Sequence, residues 1–337
     1  MRRRWSAGAA AVTLVLVGAA GCSNAPAGSP TPPTSAASVT PTAKPDSRVV
    51  AVIPVGSEPQ GLAVDASRKR AYVANLGSDT VSVLDLASAT EVGRIAVERE
   101  PQDAVVDTAT GTVYVANHTS DTVTVLDPAA QRATVSIALG SGPYALALDQ
   151  KAGILYATEM NSRVALVNTK SLTVLSRVRV GVPVDLAVDP SAGRLYVTSQ
   201  ASDTLAVFDT GTGRRVANVK GGVAPYGVEL SSVPGTVYVT NYAGHSVSVI
   251  DTVTGLVTHT IDVGKGPAGL ARDSKRNRLY VANSQSDSVS VIDTRTRKLT
   301  ATIRVGDRPE GVAVDPATHL VYVTNAGSGT VSVIRLA

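Results

Sequence analysis

The sequence predicts an all-β fold: a seven-bladed β-propeller of four-stranded antiparallel blades, closed by an N-terminal outer strand. Three observations carry this expectation. A tyrosine recurs at Tyr72, Tyr114, Tyr156, Tyr196, Tyr238, Tyr280 and Tyr322, spaced by 42 residues at five of the six intervals and by 40 at the other, from Tyr156 to Tyr196. A proline 13 residues ahead keeps the same beat, from Pro59 to Pro309. A period near 40 with several short strands per unit is the pattern of a propeller blade. Finally, the seventh copy ends just after its third strand, Thr330 to Arg335, while a lone strand, Val49 to Val55, precedes the first copy. Together they make one complete blade and remove two exposed sheet edges.

Blade one shows the plan. Strands are expected at Pro59 to Asp65, Arg70 to Asn75, Thr80 to Asp85 and Val92 to Val97. Each run is rich in β-branched or aromatic residues and is bounded by Gly, Pro, Asp, Asn or Ser. Small residues stand two and four places after the proline, as in Gly61 and Ala63, or Gly311 and Ala313. Blades converge on the propeller axis, so a thin first strand belongs at the channel wall. The recurring tyrosines read as a packed structural ring whose hydroxyls find backbone partners. The aspartates that end the first strand, such as Asp65 and Asp315, read as turn formers.

The N-terminus is different in kind. Residues 1–21 read as a lipoprotein signal peptide: a positive Met1-Arg2-Arg3-Arg4 start, then an apolar run from Ala7 to Ala20. Gly21-Cys22 follows, and Cys22 is the only cysteine in the chain. This resembles a bacterial lipobox, with Ala19 where leucine is more usual, and implies lipidation of Cys22. Residues 22–47, the cysteine and the tether that follows it, are rich in Pro, Ser, Thr and Ala and cannot bury enough apolar surface to offset their ordering entropy. They are expected to form a tether reaching at most about 75 Å. The propeller is then residues 48–337. A lipid anchor in the outer face of the cytoplasmic membrane, an extracytoplasmic location and a monomer follow as expectations.

Charge excludes some partners. The formal +4 includes Arg2, Arg3 and Arg4; without them 28 Lys and Arg face 27 acidic groups. Near-neutral charge and few aromatics argue against nucleic acid. One cysteine rules out a disulfide framework.

Tyr-Val-Ala-Asn stands at 72–75, 114–117 and 280–283, and Tyr-Val-Thr-Asn at 238–241 and 322–325. Ser-Asp-Thr/Ser-Val-Ser/Thr-Val-Ile/Leu-Asp follows at 78–85, 120–127 and 286–293. These copies resemble the YVTN-type β-propeller repeats, including YncE-like bacterial proteins. The resemblance implies the fold and leaves the function open. No WD40 signature is present, and the sole tryptophan, Trp5, lies in the signal.

Standard catalytic constellations are missing from the sequence: there is no Gly-x-Ser-x-Gly elbow and no His-Glu-x-x-His helix. Gly264 to Gly269 spells a dinucleotide fingerprint but contains Pro267 and opens no helix. His118, His245, His259 and His319 fall in different blades, which argues against a shared metal. No cofactor is expected.

Candidate site residues are therefore sought where copies break their own rule. Asp103, Asp185 and Glu229 replace the small residues of the inner strand, and Arg272 replaces Val or Leu. The residue after the proline varies most, giving Tyr144, Tyr226 and Glu310, and Glu159 replaces the usual asparagine. All are expected near one face, where they would form a funnel for a polar or cationic ligand. Buried in a blade interface, Asp103, Asp185 and Glu229 would need pairing, and Arg272 is the nearest candidate partner. The leading expectation is a binding or protein-interaction scaffold. One alternative is a lactonase-like hydrolase or lyase with axial carboxylates, resting on fold analogy. A second is single-stranded nucleic acid binding.

Overall fold

The computed structural model describes residues 46–336; the signal peptide, Cys22 and most of the tether lie outside the described residues. Seven four-stranded antiparallel sheets form the propeller. The inner strands of blades one to seven are Pro59–Asp65, Pro101–Val106, Pro143–Asp149, Pro183–Asp189, Pro225–Leu230, Pro267–Asp273 and Pro309–Val314. Val49–Pro54 pairs antiparallel with Thr330–Ile334 and completes blade seven from outside, as the sequence predicts. The fourth strand of blade one starts two residues earlier than expected, at Thr90–Ala96. The inner strand of blade seven packs against that of blade one, which closes the ring.

The core lies between blades. One cluster joins Ala63, Tyr72, Val81 and Val83 of blade one to Ala104, Val106, Val113 and Val115 of blade two. Six similar clusters complete the circle. Each fully buried aliphatic side chain contributes about 1.5–3 kcal/mol, so adjacent blades stabilise one another. All seven repeat tyrosines are buried. Their hydroxyls do not all find partners as expected: that of Tyr322 is buried without one among the described residues, its ring being packed in an apolar cluster.

The repeat motif also supplies polar links between blades. The aspartate of Ser-Asp-Thr sits in a left-handed turn, at Asp79, Asp121, Asp203 and Asp287. Each carboxylate accepts the backbone N–H just ahead of the next blade's proline, at Glu100, Gly142, Ala224 and Arg308. In blade five His245 Nδ1 does the same for Gly266. Where the motif carries threonine, its hydroxyl reaches the next blade: Thr240 donates to the Ala268 carbonyl and Thr324 to the Gln60 carbonyl. The strand-ending aspartates are turn formers, as at Asp65, Asp189 and Asp273, whose carboxylates accept backbone N–H groups of the following turn.

The thin inner strand has a steric cause. A Cβ on Gly269 would lie 2.4 Å from the Glu310 carbonyl oxygen, and one on Gly311 2.5 Å from that of Gln60. The neighbour is backbone in both cases and cannot step aside. Gly311→Ala is expected to cost about 1–3 kcal/mol in chemical denaturation. Gly211→Ala, whose Cβ would meet only the Asp209 carboxylate at 3.6 Å, should stay within about 0.5 kcal/mol of the parent.

Candidate binding site at the propeller axis

Each inner strand begins with its proline paired to the last residue of the second strand, as in Pro309 with Asn325. Between that proline and the residues two or three places on, the pairing register slips in all seven blades. Such a bulge takes residues out of the ladder and re-aims their side chains. The irregular stretch therefore turns the residues after each proline toward the axis. They line a cavity of about 180 Å³ at the mouth of the channel.

Five of the sequence-derived candidates meet there: Asp103, Tyr144, Asp185, Tyr226 and Glu310. The Tyr144 and Tyr226 hydroxyls, from blades three and five, are 2.5 Å apart across the mouth. Burial, then the charges of Glu310, Asp185 and Asp103, push the Tyr144 phenol up to about 12, against the opposing pull of the Tyr226 hydrogen bond. Burial and the neighbouring phenol raise Tyr226 well above its ordinary value. Both phenols thus stay protonated and offer hydroxyls, not phenolates.

The aspartates are built into the wall. Asp103 accepts the N–H of Ala104 in its own strand and of Leu146 in the next blade, at 2.8 and 2.9 Å. Asp185 does the same with Leu186 and Val228, at 2.8 and 2.9 Å. Each carboxylate is a strut between two inner strands. Burial outweighs these bonds and pushes Asp103 up to about 7 and Asp185 to about 6. Glu310 differs. Among the described residues no group hydrogen-bonds its carboxylate, and burial raises it to about 7 against the partial offset of Arg308. The cavity is lined by three carboxylates and by no lysine or arginine.

The other three candidates lie elsewhere. Glu229 and Arg272 belong to the far halves of their inner strands, where Glu229 pairs with Tyr238 and Arg272 with Leu279. They form no ion pair: Arg272 Nε donates to the Leu230 carbonyl at 2.8 Å, and its Nη1 is buried without a partner among the described residues. Burial raises Glu229 to about 7, and the charge of Arg272 lowers it only in part. Glu159 is fully buried and both its oxygens lie 3.1 Å from Arg177 Nε. The reason is local. Asparagine at this place donates to two hydroxyls of the third strand, as Asn75 does to Thr80 and Ser82. In blade three the facing third strand begins Arg163-Val164-Ala165, so that ladder is gone and a buried ion pair replaces it.

Two mouth residues escape a search confined to the inner strands. The His118 ring meets Tyr144 edge-on at 6.3 Å, and Tyr242 lies 5.7 Å from Tyr226. Both directly follow the motif asparagine, a position as variable between copies as the one after the proline. Its backbone is fixed to the mouth, since His118 N–H donates to Glu100 and Tyr242 N–H to Ala224. Among the described residues no group of three acidic, histidine or cysteine side chains is placed to hold a metal ion.

Comparison with known proteins agrees with the architecture. A family model described as YNCE-like beta-propeller matches residues 49–229, which include Asp103, Tyr144, Asp185 and Tyr226. No curated protein matches the chain. Among solved structures, Kuenenia stuttgartiensis hydrazine synthase aligns with a TM-score of 0.75 at 18% identity, over 83% of this chain and 96% of that one. At that identity the likeness shows the fold alone.

The raised carboxyl groups have a consequence for stability. In the unfolded chain Glu310 ionises near 4.5; in the folded chain it holds its proton to about 7. Between these values the folded state binds more protons, so its stability falls as pH rises through the window. Glu310→Gln should melt like the parent at about pH 4, below the unfolded-chain value. At about pH 8 it should be more stable by up to roughly 3 kcal/mol, which is several degrees in melting temperature. A pH series of melting curves for both proteins checks this.

Proposed function

This chain belongs to the YncE-like β-propeller family, and we propose that it is a non-catalytic binding module, tethered outside the cell by a lipid on Cys22, whose axial mouth takes a small cationic group. The observation that carries the reading is Glu310: an unpartnered, largely desolvated carboxylate beside two tyrosine rings, above two further carboxylates and with no basic side chain in the lining. A cation entering the mouth would meet Glu310 directly and the faces or hydroxyls of Tyr144 and Tyr226 alongside, an arrangement that favours ammonium groups. The tyrosines keep the site narrow, and the aspartate struts keep it rigid before any ligand arrives.

The N-terminal link suits this arrangement. The strand Val49–Pro54 runs with Val49 beside Ile334 and Pro54 beside Thr330. Thr330 pairs with Asn325, at the mouth end of the blade. The chain therefore enters the propeller at the end opposite the mouth, and a lipid-bearing segment would join the fold away from the site.

Calorimetric titration with n-butylammonium, with n-butanol as the neutral isostere, tests the site. The ammonium should bind and the alcohol should not. Glu310→Gln should weaken the ammonium by about tenfold or more, the loss of one charge-assisted contact. Affinity should rise from pH 6 to pH 8 as Asp185, Asp103 and Glu310 lose their protons near 6, 7 and 7. Equal binding of alcohol and ammonium would overturn the reading. For the anchor, Cys22→Ser is expected to move the protein from membrane to medium, and unchanged fractionation would defeat that part.

A further inference from the structure

We infer that the cation the mouth receives is the lysine side chain of a partner protein, presented by a segment with apolar residues on either side of it; this rests on the cation-binding reading above. Three features of the mouth face point there. The first is size: a cavity of about 180 Å³ holds one side chain and leaves the rest of a larger ligand outside. A lysine brings a slender aliphatic stem and a compact ammonium with three donors. The stem suits the walls formed by the Tyr144 and Tyr226 rings, and the ammonium suits Glu310 and the phenol oxygens.

The second feature is the surface around the opening. Met160, Val182 and Val223 are 47%, 37% and 58% exposed. They stand on consecutive blades, three, four and five, in the loops that leave the second strand or enter the first. They therefore share the mouth face and flank Tyr144, Val184 and Tyr226. A free ammonium ion would use none of this apolar arc. Exposed apolar groups gathered beside a polar pocket mark contact with another macromolecule.

The third feature is asymmetry of charge. Across the opening, blades seven and one present the exposed pair Arg308 and Glu58, 3.6 Å apart. Arg308 is engaged with Glu58 and only partly offsets Glu310, while no lysine or arginine lines the shaft itself. Carboxylates thus line the shaft, and the exposed apolar side chains stand on one side of its opening. A lysine with apolar neighbours in the same strand or loop complements both at once.

The test uses the whole propeller and four probes in calorimetry. These are n-butylammonium, acetyl-Ser-Val-Lys-Val-Ser-amide, the same peptide with norleucine for lysine, and acetyl-Ser-Ser-Lys-Ser-Ser-amide. The Val-Lys-Val peptide should bind about tenfold more tightly than n-butylammonium or the serine-flanked peptide, and the norleucine peptide should lose that binding. Met160→Ser, Val182→Ser and Val223→Ser combined should abolish the gain from the flanks and leave n-butylammonium unchanged. These three side chains are exposed, so the combined variant should fold, which a melting curve verifies. If n-butylammonium binds but the apolar-flanked peptide gains nothing, the lysine proposal falls and the small-cation reading stands. If neither n-butylammonium nor any peptide binds, both fall.

Discussion

Room at the axis is the constraint on which the rest of this protein depends. Seven inner strands converge until the backbone of one blade touches the next, so that a single methyl group on Gly269 or Gly311 would meet a carbonyl oxygen. Small residues answer that shortage of volume, and the register slip after each proline answers the sharp entry of the chain. A narrow shaft follows, with a cavity of about 180 Å³ at its mouth. Its narrowness also gives unusual weight to any charge placed there, because desolvation raises carboxyl groups and strengthens their contact with a cation.

The charged exceptions to the repeat divide into two kinds. Asp103 and Asp185 are held by backbone N–H groups of two blades each and work as struts that also fix the cavity. Glu310 has no such employment. The phenol pair between blades three and five is closed upon itself, so its rings and oxygens are the remaining surfaces a ligand can use. A rigid frame of struts around one unpaired carboxylate is a reasonable basis for recognition, since the cost of organising the site is met by folding.

Much of the architecture was legible in the sequence because period and strand pattern are local properties. The tyrosine beat, the closing strand at Val49, the turn aspartates and the small residues at the axis all follow from spacing and volume. The direction of a side chain is not local. Asp103 stands two places after its proline and Glu310 one, and only the folded chain shows that the first accepts the N–H of Leu146 while no described group hydrogen-bonds the second. Glu159 breaks the repeat as plainly as Glu310 but marks a lost hydroxyl ladder answered by Arg177. Its signal was there in Arg163 and Ala165, one strand further on. His118 and Tyr242 join the mouth only because the loop after each motif asparagine is tied back to the loop before the proline.

The most direct test of this account is the protonation of Glu310 itself. Carbon-13 labelling of the glutamate side-chain carboxyls, with Glu310→Gln to identify the resonance, allows its titration to be followed by NMR in the ligand-free protein. The account requires a midpoint of about 7 for Glu310. A midpoint near 4.5, the ordinary glutamate value, would mean that water fills the shaft, and the crowded axis would then give the carboxylate no special power to bind a cation.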